Sequence, residues 1–374
     1  MSSFRTGLMS LITLAGGVSL AAIPPATLAI SSRIFSTIEQ GYVSVAIMAA
    51  TFVGQLVFAA IVESRLSSTM TERRVIFPRW LTWLTLVATI AVIALPESAV
   101  VICLALPVLL ASLEVGRGVS VAERLDSREM IAAACVGAGA LAGVVLAVLD
   151  VRWALIPLAA GVAVATAVRS LRAHLSVESP DPSVRRWVVG DVAITGFIYP
   201  SLNALILISL GPVSSVLFAS ISTVSGLLAI PLNFMRLRLL KAHSAVDVWL
   251  SASVLAIAVL VIGVLEATGI LARFFDSSWT LELTVLPLAV ACAWRAASLA
   301  TTLPFAALRR SGHAKLLTVL RAACAVVTFA AGASVLPLNS ITVVFLIMLG
   351  GEVLQAIVYQ IARRRVEAES LTRQ

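Results

Sequence analysis

The sequence predicts an all-α, polytopic membrane protein of about twelve transmembrane helices in two six-helix lobes, and three observations predict it. Hydrophobic residues make up 60% of the chain and charged residues 12%, against roughly 25% charged in soluble domains. The apolar residues fall in long runs bounded by charge, and the positive charges recur at alternate boundaries. A mean hydropathy of +1.04 excludes a water-soluble domain. A net charge of +8 does not indicate nucleic acid, because Lys and Arg sit in short loops between apolar runs, where they act as topology signals.

A helix needs about 20 apolar residues to cross roughly 30 Å of hydrocarbon. Runs of this kind are expected over Gly7–Ile30, Gly41–Val62, Trp80–Leu95, Val100–Val115, Met130–Leu149 and Trp153–Val168 in the first half. The second half supplies Val188–Leu210, Val213–Phe234, Val248–Leu271, Leu281–Leu303, Leu316–Leu336 and Ile341–Ile361. The first run is a span and not a cleaved leader, since no small-residue cleavage site followed by a soluble domain is seen. Unbroken apolar runs exclude barrel strands, which alternate. Trp80, Trp153, Trp187, Trp249 and Trp279 fall near span ends, as interfacial aromatics do.

Counted from a cytoplasmic N-terminus, the inner segments hold Arg5, then Arg65, Arg73, Arg74 and Arg79, then Arg117, Arg124 and Arg128. Later inner segments hold Arg169, Arg172, Arg185 and Arg186, then Arg236, Arg238 and Lys241, then Arg309, Arg310 and Lys315, and last Arg363, Arg364 and Arg365. Only Arg33, Arg152 and Arg273 fall outside, so both termini are expected in the cytoplasm of a multi-pass protein of the cell membrane. The polar stretch around Ser176–Ser183 divides the chain into a lobe at 1–172, a linker at 173–187 and a lobe at 188–374. Two weak echoes support a duplicated bundle: Tyr42 and Phe218 (218 − 42 = 176), and Pro24 and Pro200 (200 − 24 = 176).

Within hydrocarbon an Arg, Asp or Glu costs roughly 2.5 to 3.5 kcal/mol on insertion scales and usually faces a cavity. Arg295 precedes Arg309 by fourteen residues, roughly 21 Å of helix, which is too deep to snorkel. It fits a substrate-binding cation or one half of an internal ion pair. Glu352, with Gln355 on the same helical face, fits a pair with Arg295, a coupling proton or sodium site, or packing alone. Asn203, less than a turn after Pro200, fits a cavity-facing amide beside a freed carbonyl or a packing kink; Gln55 is a weaker example. Pro24 and Pro25 are expected to bend the first span. Glu114 and Arg117, three apart, are expected to pair at the cytoplasmic end of the fourth span. Arg33 fits an anionic headgroup at the outer mouth or a solvated loop charge.

Other motifs carry no chemistry. Cys103, Cys135, Cys292 and Cys324 lie in apolar runs with no metal or redox spacing. His174, His243 and His313 are isolated, so no metal and no cofactor are expected. Gly139 and Gly143 form a small-xxx-small packing face and not a dinucleotide loop.

The segment Ile30-Ser31-Ser32-Arg33-Ile34-Phe35-Ser36-Thr37-Ile38-Glu39-Gln40-Gly41-Tyr42 resembles the first outer loop and second-helix start of polysaccharide and lipid-linked oligosaccharide exporters. These belong to the multidrug, oligosaccharidyl-lipid and polysaccharide (MOP) exporter superfamily. Leu210-Gly211-Pro212 with Phe218-Ala219 looks like the same element in the second lobe. The resemblance implies a MATE/MOP-like fold and a flippase working by alternating access. A cationic cavity would take a lipid-linked, diphosphate-bearing glycan, with Arg295 and Arg33 for phosphate and Asn203 and Gln55 for hydroxyls. Its expected partners are that substrate, membrane lipid and glycan-assembly enzymes. Two rivals stand beside it, a drug or metabolite antiporter of the same superfamily and a membrane-embedded enzyme of glycan assembly. The short outer loops, with scattered Glu39, Glu97, Asp150 and Asp276, count against the enzyme.

Overall fold

A computed structural model describes residues 2–66, 75–123, 125–170, 182–230, 232, 245–275, 279–310 and 313–372. Arg73, Arg74, Arg124, Arg172, Arg236, Arg238, Lys241, His174, His243 and Asp276 lie outside the described residues, as does 173–181 of the expected linker. All regular structure among the described residues is helical.

The first half comprises α1 (Ser2–Ile34), α2 (Thr37–Phe58), α3 (Arg79–Ala94), α4 (Ala99–Ala122), α5 (Asp126–Val148) and α6 (Leu155–Ser170). The second comprises α7 (Pro182–Gly196), α8 (Ile198–Leu210), α9 (Pro212–Gly226), α10 (Ala245–Ala267), α11 (Ile270–Phe275), α12 (Leu281–Arg310), α13 (Ala314–Ser334) and α14 (Ile341–Thr372). Each expected span finds a helix, with α7 and α8 sharing the seventh; 231, 233 and 234 of the eighth lie outside the described residues. The ends differ where the chain has a local reason. α2 widens into a π turn at Ala59–Glu63. The ninth span stops at Ala267, before Gly269 takes φ +69°. α12 and α14 run on to Arg310 and Thr372, since their basic ends are good helix formers.

α1 passes through Pro24 and Pro25 as one helix. The seventh span breaks at Phe197 instead. There Pro200 offers no N–H to the Gly196 carbonyl four residues back, and glycine lowers the cost of leaving the helix.

The side chains are sorted as lipid requires. On α3, Trp83 and Val87 are exposed (67% and 62%), with Ile90 and Ile93, whereas Thr85 and Thr89 are buried. The Thr85 and Ser112 hydroxyls bond each other between α3 and α4, so polar groups face inward and apolar ones outward. Trp80, Trp153, Trp187 and Trp249 are exposed near span ends, but Trp279 is buried at 2%. Its indole therefore does not act as an interfacial anchor, for a reason given below.

The chain forms two compact units, Met1–Ser220 and Ile221–Gln374. In the first, α2 packs on α4, α5 on α6 and α1, α3 on α4 and α6, and α8 on α2. The α5–α6 crossing is close because it lacks side chains: a Cβ on Gly139 would lie 2.5 Å from the Pro157 carbonyl oxygen, and one on Gly161 2.7 Å from that of Cys135. In the second unit α12 and α13 pack on α14, and α10 on α12.

Candidate functional site

In the first unit, the turn after α1 is built by its own polar groups. Glu39 accepts from the Ser36 N–H (3.0 Å) and hydroxyl (2.7 Å), capping α2. Gln40 donates to the Ser32 and Phe35 carbonyls at 3.2 and 2.8 Å. Arg33 is half-buried in the last turn of α1, where its charge suits the helix dipole.

Asn203 is fully buried, and its amide is held by two serines instead of facing an open cavity. Its Nδ2 donates to Ser44 Oγ at 3.3 Å, and its Oδ1 accepts from Ser215 Oγ at 3.0 Å. The cause is a joint between α2, α8 and α9 that puts the serines opposite it. Gln55, one of the residues expected to meet hydroxyls, is exposed on α2, and its Oε1 lies 3.7 Å from where a Gly196 Cβ would stand. Phe52 and Phe197 meet edge to face beside it, with ring centroids 6.2 Å apart.

The charges at the other end of this unit form a cluster. Arg169, expected as a solvated cytoplasmic cation, is buried in a two-pronged pair with Glu129: Nε to Oε2 at 3.0 Å and Nη2 to Oε1 at 2.7 Å. Gly116 makes the room, since a Cβ there would come within 2.7 Å of Arg169 Cδ. Glu114 lies in the field of both Arg117 and Arg169, so the expected Glu114–Arg117 couple belongs to a larger group.

In the second unit Arg295 occupies the middle of α12, fourteen residues from Leu281 and fifteen from Arg310. Its guanidinium lies 3.9 Å from the centre of the Trp294 ring, a cation–π contact that lowers the cost of burying the charge. Trp294 in turn leans on Phe345 of α14, 6.3 Å away. Glu352 accepts from Thr301 Oγ1 at 2.7 Å. Gln355, one turn on, donates to the Tyr359 hydroxyl at 3.0 Å. The α12–α14 contact thus carries Thr301 and Glu352, with Arg295 and Gln355 elsewhere on the same two apolar helices.

Three groups were missed in the sequence. Glu266 ends α10 as a buried carboxylate that accepts from Thr284 Oγ1 and from Trp279 Nε1 at 2.8 Å, which explains the burial of that indole. Arg321 is half-buried, 5.6 Å from the Phe305 ring centre. Glu129 hides Arg169. The rule that singled out Arg295, charge within an apolar run, would have found the first two. Among the described residues no trio of His, Cys, Asp or Glu is placed to hold a metal.

No protein-family model matches the chain, and no curated protein matches it. In fold it is similar to an inward-facing multidrug resistance MATE family transporter of the MOP superfamily (TM-score 0.51, 15% identity, 97% of this chain and 96% of that one). It is also similar to MATE in complex with MaL6 (0.52, 14%, 99% and 94%) and to MATE in the straight conformation (0.53, 13%, 98% and 97%). Over almost its whole length, the chain has the polytopic helical fold of the MATE transporters of the MOP superfamily.

Proposed function

We propose that this protein is a flippase that carries a lipid-linked, diphosphate-bearing oligosaccharide or polysaccharide precursor from the inner to the outer leaflet by alternating access. The lobes at 1–172 and 188–374 are its moving bodies, both termini lie in the cytoplasm, and its partners are the lipid-linked glycan and the enzymes that assemble it. One observation carries the reading: a transporter fold holds Arg295 at the midpoint of a membrane helix. Taking sugar and phosphate through hydrocarbon is prohibitive, and a wet cavity with a fixed cation removes much of that cost. Arg295 would draw the diphosphate, with Arg33 nearer the outer mouth and Gln55 available to hydroxyls. Asn203 is reassigned from substrate to structure.

In proteoliposomes loaded with a lipid-diphosphate-linked sugar, Arg295→Ala is expected to abolish translocation while Arg295→Lys retains part of it. Full translocation by the alanine variant, inserted normally, removes Arg295 from the mechanism.

A second reading, a drug or metabolite antiporter, is favoured by Glu352, a carboxylate within the apolar α14, and by the multidrug transporter among the similar structures. It expects efflux of cationic dyes that is lost in Glu352→Gln. The flippase reading expects none.

A further inference from the structure

In the sequence α2 belongs to the first six spans and α8 and α9 to the second six, yet three buried polar side chains tie them together. Asn203 Nδ2 donates to Ser44 Oγ, the Ser44 and Ser215 hydroxyls lie 2.7 Å apart, and Ser215 Oγ donates to Asn203 Oδ1. Counting hydrogens closes the ring. The Ser215 hydrogen goes to Asn203, so the bond between the serines uses the hydrogen of Ser44, which is shared with the Gly41 carbonyl at 2.7 Å. All three residues are 0% exposed.

The helix surfaces around the ring fit closely. A Cβ on Gly41 would lie 2.8 Å from both Leu207 Cδ1 and Pro212 Cβ, so α2 lies flush on the α8–α9 turn at Gly41. Ser44 is seven residues from the start of α2 and Asn203 seven from the end of α8, about 10 Å of helix in each case. On the expected topology these are the outer ends. Below the ring, the break at Phe197 and the missing N–H of Pro200 let α8 tilt without bending an intact helix.

Such a ring has two satisfied states. Closed and dry, each polar group has a partner; pulled apart, each needs water, which arrives only when that side opens to solvent. A half-parted ring is disfavoured, so the contact behaves as a two-position device.

We propose that Ser44, Asn203 and Ser215 form the outer latch of the transport cycle, closed while the path faces the cytoplasm and hydrated when it opens outward. The proposal rests on the alternating-access reading and adds the groups that hold one side shut.

The test uses the full chain with Cys103, Cys135, Cys292 and Cys324 replaced by alanine and Gln55→Cys as reporter. Gln55 lies eleven residues beyond Ser44 on α2, about 16 Å deeper. Labelling by a membrane-impermeant maleimide is read at residue 55 by peptide mass spectrometry, in intact cells and in inside-out vesicles. Asn203→Ala is expected to raise labelling from outside about tenfold, as loss of two hydrogen bonds would, and to lower it from inside. A disulfide between Ser44→Cys and Ser215→Cys is expected to abolish outside labelling until it is reduced. Equal labelling in the parent, the Asn203 variant and the disulfide form overturns the latch. If Asn203→Ala does not insert, Ser215→Ala breaks the same ring and is held to the same expectation. The labelling needs no substrate. Failure of the latch therefore leaves the Arg295 test standing, and export by Arg295→Ala with the labelling contrast intact removes the glycan reading alone.

Discussion

Arg169 and Glu129 show why single charges were the least legible features of this sequence. Arg169 follows an apolar run and reads as a cytoplasmic cation, but whether such a residue reaches water depends on what faces it across the bundle. Gly116 supplies the space and Glu129, forty residues away, the counter-charge. Neither is visible from the position of Arg169 in the chain. Arg295 and Glu352 were legible because the middle of a long apolar run allows no escape to either surface. Their neighbours, Trp294 and Thr301, were not. The Arg169–Glu129 pair has a testable energetic signature. Arg169→Met alone leaves a buried carboxylate without its partner and is expected to cost about 3–5 kcal/mol, whereas Arg169→Met with Glu129→Met is expected to be near neutral. Thermal unfolding in detergent distinguishes them: a double variant as unstable as the single one would show that the pair's charges are not what the site depends on.

At the scale of the helix, existence was legible and breaks were not. Length and apolarity located a helix for every expected span, since lipid admits little else. Pro24, Pro25 and Pro200 carry the same local signal, yet only the span with Pro200 breaks, because Gly196 precedes it and packs against the Phe52 ring, where a Cβ would stand 2.5 Å away. The Gly139–Gly143 face was legible as a packing stripe, and the structure supplies its partner, α6 with the residue before it, through Pro157, Gly161 and Ala154. The same helix contains an internal control. Gly137 has nothing within 4 Å of its would-be Cβ, whereas that of Gly139 strikes a backbone oxygen that cannot move aside. Gly139→Ala is therefore expected to destabilise by about 1–3 kcal/mol, and Gly137→Ala to stabilise by about 0.5–1 kcal/mol. Unfolding temperatures that shift in the same direction for both would contradict the close approach of α5 and α6.

For the molecule as a whole, the duplicated plan seen as two offsets of 176 residues reappears in the helix ends: α1 stops at Ile34 and α8 at Leu210 (210 − 34 = 176). An even number of spans follows from two copies of six, and with it a commitment on sidedness that the fold leaves open. Arg and Lys are held on the cytoplasmic side of short loops. The basic end of α14, Arg363 to Arg365, and the 173–181 connection should then share one side, opposite the Glu97–Arg152 contact that joins the α3–α4 and α5–α6 loops at 3.7 Å. A reporter fluorescent only in the cytoplasm, fused ahead of Met1, after Gln374 or within 173–181, is expected to glow in all three positions. A single cysteine at Arg152 is expected to react with an impermeant maleimide in intact cells. Fusions at the two termini that report opposite sides would require an odd number of spans. That outcome would break the six-and-six division.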